Sequence, residues 1–180
     1  MSKASIISLV NTSLLVVLII LAQHQLFFSD MIWSYQTHKV LHLIGVCMFI
    51  GNVFVGPIWL LKALQSKNRE TIKFAFSMLL FTDIVITVPG IDLTVINGLF
   101  LSSVLGGVNA QPWLQHSIMA LFALWVLVLP ILLIQDKMQK LALSGDTGSM
   151  SFKKIFLLWV ITGGLSLIPV AYILILMVFK

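Results

Sequence analysis

Charge is scarce in this sequence. Asp, Glu, Lys and Arg together make up 9% of its 180 residues, where a soluble domain carries about 25%. Hydrophobic residues reach 59% and the mean hydropathy is +1.08, so a water-soluble globule is excluded in favour of an integral membrane protein. Cysteine is almost absent: Cys47 stands alone inside an apolar run, which rules out an intrachain disulfide framework. No spacing of a zinc finger, P-loop or dinucleotide fingerprint occurs. No serine or cysteine pairs recognisably with a base, and no lysine lies deep enough in an apolar run to suggest a Schiff base. A net charge of +5 raises nucleic acid as a partner. The lysines, however, lie in short loops between apolar runs, which is a topology signal.

What the chain does have is five apolar runs, at about 6–22, 36–64, 71–104, 113–135 and 152–179. They imply one all-α domain over 1–180, a polytopic membrane helix bundle with five transmembrane helices. The first run has a basic start at Lys3, as a signal peptide would, but Gln23-His24-Gln25 replaces a small-x-small cleavage site. It therefore reads as a retained helix, with Asn11, Thr12 and Ser13 as packing contacts. The linker after it carries Phe27, Phe28, Trp33 and Tyr35, aromatic types that anchor at lipid headgroups. Gly56-Pro57 predicts a kink in the second helix.

The third run would be roughly 50 Å long as one helix, against a hydrocarbon core of about 30 Å. Pro89-Gly90 divides it, so it is either one broken span or two. Charge decides between them. Lys62, Lys67, Arg69 and Lys73 form one basic loop; Lys137, Lys140, Lys153 and Lys154 form the other. One crossing between them puts both loops on the same side, as the positive-inside rule demands. The expected topology is therefore one span broken at 89–90, in a bacterial inner membrane, with the N-terminus cytoplasmic and the C-terminus outside. Pro130 falls near the inner end of the fourth helix. In the fifth, Gly163-Gly164 suggests close helix approach.

Candidate chemistry lies in the ionisable residues at membrane depth, each of which needs a partner or a purpose. His38 and His42, four residues apart, share a helix face that continues through Gly45, Phe49, Asn52 and Gly56, so that face should meet other helices. His42 lies roughly 9 Å, and His116 roughly 5 Å, below the outer ends of their helices. Two imidazoles at similar height are a known way to hold a b-type haem. They also suit copper or zinc, with Met48 or Met119 as soft ligands for copper(I), or they simply fix helix packing. His38 is expected nearer the interface and solvated, or serving a propionate or a metal; His24 is expected in a loop. Asp83, the deepest acid, heads a polar stripe with Thr87, Gly90, Thr94 and Asn97, and is expected to be protonated, held by hydroxyl or indole donors, or part of a proton path. Asp92 either orients a histidine or packs by hydrogen bonding.

These residues resemble a family of predicted bacterial integral membrane proteins of unknown function. The likeness rests on Lys39-x-x-His42 with Gly45 and Gly51, and on Thr82-Asp83 leading to Thr87-Val88-Pro89 and Gly98. It continues in Trp113, Pro130, Gln135, Trp159, Gly163, Pro169 and the closing Leu176-Met177-Val178-x-Lys180. It covers about Tyr35 to Lys180, which implies a four-helix core with one added N-terminal helix. That family is similar in turn to two groups with a Lys-x-x-His helix, the haem-binding membrane protoporphyrinogen oxidase and the copper-resistance membrane proteins. The oxidase group follows its histidine with Trp-x-x-Gly and Leu-Pro-Arg; here Phe49 precedes Gly51, and Ile58 follows Pro57. The resemblance implies a haem or copper site on His42.

The functional expectation is a b-type haem held by His42 and His116, with His38 nearby, for electron transfer or haem-linked redox chemistry. The alternatives are a copper-binding or transport protein using the same histidines, and a non-catalytic accessory subunit of a membrane complex. The expected partners are the lipid bilayer and either other membrane subunits or a redox partner.

Overall fold

The computed structural model describes residues 3–26 and 30–179. Phe27, Phe28 and Lys180, which the sequence reading used, lie outside the described residues. The helices are α1 (Lys3–Gln23), α2 (Tyr35–Gln65), α3 (Arg69–Thr82), α4 (Val88–Ser103), α5 (Pro112–Leu143) and α6 (Met150–Val178). A π-helical turn, Asp83–Thr87, joins α3 to α4 without a break. Arg69–Ser103 thus counts as one of five helices among the described residues that are long and apolar enough to cross a membrane.

Local chemistry sets the helix ends. Ser34 caps α2 by accepting from the Thr37 N–H, Asn68 caps α3 through the Glu70 and Thr71 N–H groups, and Ser149 caps α6 through Phe152. Gly145, at φ +86°, closes α5: its N–H bonds Ala142 O while that of Asp146 reaches Leu141 O, the paired bonds of a glycine C-terminal cap.

The expected break at Pro89-Gly90 is corrected. Proline lacks an N–H and its ring crowds the carbonyl four residues back. The chain answers one turn early by widening the helix, so that the Val88 N–H bonds Asp83 O five residues back.

Two antiparallel pairs form the bundle: α2 lies along α4, and α5 along α6, while α3 packs on α2 and α1 leans on α4 and α5. One apolar cluster joins Leu15 and Ile19 of α1 to Leu99, Phe100 and Ile118. The other joins Leu60, Phe76, Met138 and Trp159 at the opposite end. At that end Arg69 Nη2 donates to Leu143 O at 3.2 Å, which brings the two basic loops together. Both basic loops therefore lie at one end of the bundle.

Gly163 and Gly164 are also corrected. A Cβ at either would meet nothing within 4 Å. The glycines that do permit close approach are Gly45 and Gly90. A Cβ on Gly45 would stand 2.6 Å from Gly90 O and from the Thr94 N; one on Gly90 would stand 2.9 Å from the Phe49 N. The backbones of α2 and α4 touch there, as small residues allow in membrane interfaces.

Candidate functional site

The α2 face read from the sequence does turn inward: His38, Gly45, Asn52 and Gly56 are all buried. Across it, α4 and the π-turn present matching groups at intervals of seven residues. His38 meets Asn97, Gly45 meets Gly90, and Asn52 meets Asp83. The polar seam between α2 and α4 is therefore the candidate site.

His38 is not solvated, as expected, but fully buried at 0% exposure. Its Nδ1–H donates to Asn97 Oδ1 at 2.8 Å, and its Nε2 accepts from the Trp33 N–H at 3.3 Å. Phe100 stacks on the ring, centroid to centroid 4.5 Å. Both ring nitrogens are engaged, so His38 has no lone pair left for a metal without breaking the bond to Trp33.

His42 donates Nδ1–H to Thr94 O at 2.7 Å. Gly98 lies beside its ring, where a Cβ would come within 3.3 Å of Cε1 and Nδ1. His116, by contrast, is exposed, with Nδ1 3.4 Å from the Tyr172 hydroxyl on α6. The expected meeting of His42 and His116 is not formed: one ring engages α4, the other faces outward beside α6. Met119 is 67% exposed, and Met48 lies against Gly90. Among the described residues no three His, Cys, Asp or Glu side chains cluster as metal ligands would.

Asp83 sits at the π-turn with donors converging from three directions. Asn52 Nδ2 (3.1 Å) and Thr87 Oγ1 (3.4 Å) donate to Oδ1, and Gln135 Nε2 of α5 donates to Oδ2 at 3.0 Å. Asn52 Nδ2 also reaches Thr87 Oγ1 at 2.8 Å. Two of the donors are amides, where hydroxyl or indole groups were expected. Asp92 accepts a hydrogen bond from Asn11 Nδ2 of α1 at 2.8 Å, a contact that the packing reading describes. Asn97 adds a bond from Nδ2 to Leu93 O.

Two buried groups escaped the sequence reading. Asp136 lies inside the bundle, where Ser5 Oγ donates to it at 2.9 Å. Trp125 is 5% exposed, and its Nε1 has no hydrogen-bond partner among the described residues. Asp136 follows immediately after the end expected for the fourth helix; the signal that would have found it is the continued spacing of Met138 and Ala142, both buried.

Residues 36–180 match the model of a family described as predicted integral membrane protein (DUF2269), and the chain belongs to that family. No curated protein and no solved structure matches it. Helix α1 precedes the matched residues.

Proposed function

We propose that this member of a family of membrane proteins is a structural subunit of a larger membrane assembly, with no redox centre of its own. One observation carries the reading: the deep polar candidates are bonded to neighbouring helices. His38 holds Asn97, His42 holds Thr94, Asp83 is held by Asn52 and Gln135, and Asp92 by Asn11. Such bonds fix helix register in lipid. Helix α6 packs chiefly on α5, so the face with Gly163 and Gly164 is left to lipid or to a helix of another subunit.

The second reading keeps the haem b or copper expected at His42. It is favoured by one contact: the Nδ1–H bond to Thr94 O selects the tautomer whose Nε2 bears the lone pair, the usual arrangement of a ligating histidine. A bound group of that kind would supply electron-transfer chemistry, and His42 would orient it from α2. A visible spectrum and metal analysis of the detergent-purified protein distinguish the two. The structural reading expects neither a Soret band nor stoichiometric copper, together with a co-purifying membrane protein. A Soret band lost in His42→Ala but kept in His116→Ala would replace it with the redox reading.

The placement that accompanies both readings is a bacterial inner membrane, with the shared end of the two basic loops in the cytoplasm. The contact of Arg69 with Leu143 supports treating that end as one surface. Alkaline phosphatase, active only outside the cytoplasm, is expected to be active when fused after Lys180 and inactive when inserted at Gly148. The opposite pattern would invert the assignment.

A further inference from the structure

The end of the bundle where Arg69 reaches Leu143 carries lysines on several helices, and they stand at one depth. We infer that this lysine belt is a docking surface for an anionic phospholipid, its ammonium groups holding the phosphate and the apolar helix faces beside them holding the chains. This goes beyond the structural reading above and does not depend on it.

Helix α5 has 32 residues and α6 has 29, roughly 48 and 44 Å along the axis. Both outrun a hydrocarbon core of about 30 Å, which becomes about 40–45 Å with its headgroups. With the bilayer centred at mid-helix, Lys137 and Lys140 of α5 lie roughly 14 and 19 Å from its middle. Lys153 and Lys154 of α6 lie at roughly 17 and 15 Å, and Lys62 of α2 at roughly 18 Å. Each falls at or just outside the hydrocarbon boundary, in the layer of the lipid phosphates.

These lysines are exposed, and none pairs with an acid among the described residues. Of the acids at this end, Glu70 holds Lys73 at 2.9 Å and Asp136 turns inward to Ser5. Asp146, in the turn between α5 and α6, is the remaining one. The belt therefore keeps an excess of positive charge that a phosphate can neutralise, and basic side chains near an anionic lipid surface each add to the attraction.

Below the charges the surface is apolar. The face of α5 that bears Lys137 continues inward through Leu133 and Leu129, and the face of α6 that bears Lys154 continues through Leu158 and Ile161, all exposed. An ammonium group above an apolar row matches a phosphate above an acyl chain, and the flexible lysine stem lets its charge reach the headgroup. A water-soluble acidic protein would use the lysines and leave the rows untouched. Since α5 and α6 pack on one another, both rows belong to one hairpin.

The test is native mass spectrometry of the full chain in detergent micelles, titrated with dioleoyl phosphatidylglycerol or with the phosphatidylcholine bearing the same chains. The anionic lipid is expected to bind about tenfold or more tighter, with the preference shrinking as salt rises. Replacing Lys137 and Lys154 together by Gln should weaken its binding about twentyfold, near fivefold for each ammonium removed, and leave phosphatidylcholine unaffected. Arg at both positions should keep the preference, and Lys39→Gln, at the far end of α2, should leave it intact. The inference is overturned by equal affinity for the two lipids or by an unchanged preference in a folded Lys137→Gln/Lys154→Gln chain. Tighter binding of a poly-glutamate peptide than of the anionic lipid would also overturn it and assign the belt to an acidic protein.

Discussion

Gly45→Val is expected to destabilise the bundle by about 3 kcal/mol or more, at or above the upper end of the overpacking range. The reason is what the new side chain meets. A Cβ at Gly45 falls 2.6 Å from Gly90 O and from the Thr94 N, and 2.7 Å from Thr94 Oγ1. Two of these are backbone atoms of α4, which cannot rotate aside as a flexible side chain can. The helices must part, and the seven-residue matching of His38 with Asn97 and of Asn52 with Asp83 on either side is lost with them. Gly90→Val strikes the same contact from α4, so the double variant should cost less than the sum of the two. Gly163→Ala, with nothing within 4 Å, should change stability by less than about 0.5 kcal/mol. Thermal melts of detergent-purified variants read all four. A Gly45→Val protein melting with the parent would mean that α2 and α4 do not meet at this point.

Asp83→Ala is the second large effect, expected at about 2–3 kcal/mol. It removes the acceptor for Asn52, Thr87 and Gln135 together. Interhelical hydrogen bonds in membranes average about 0.6 kcal/mol and reach about 1.7, and stranded donors add their own cost. Asp83→Asn keeps one acceptor oxygen and should retain part of the stability. Asp92→Ala, with its bond from Asn11, should cost about 1 kcal/mol. If Asp83→Ala melted no lower than Asp92→Ala, the convergence on Asp83 would not be what holds α5 to the α2–α4 pair.

Much of the architecture was legible in the residues, for identifiable reasons. Small and polar side chains recurring along one face of an otherwise apolar α2 have no use against lipid, so the face that meets α4 could be read directly. The common side of the basic loops followed from charge alone. Other features depend on what hydropathy does not encode. Distance along a helix fixes the height of His116 but not the direction it faces. Its neighbour Ser117 is buried while His116 is exposed. His38 was placed near water by its position close to a helix end, but Trp33 folds back to cover it. Proline signals that a helical bond is missing, but not whether the chain will break or widen, and here it widened at Asp83–Thr87. Asp136 was missed because the apolar run ends before it, although the helix continues to Leu143.

The position of α1 carries one more consequence. It lies before the residues that define the family, yet its Asn11 and Ser5 each supply a donor to a carboxylate within them, Asp92 and Asp136 respectively. A chain starting at α2 would keep both acids and lose both of those donors. The leading helix is therefore a clasp, gripping one carboxylate on α4 and another on α5.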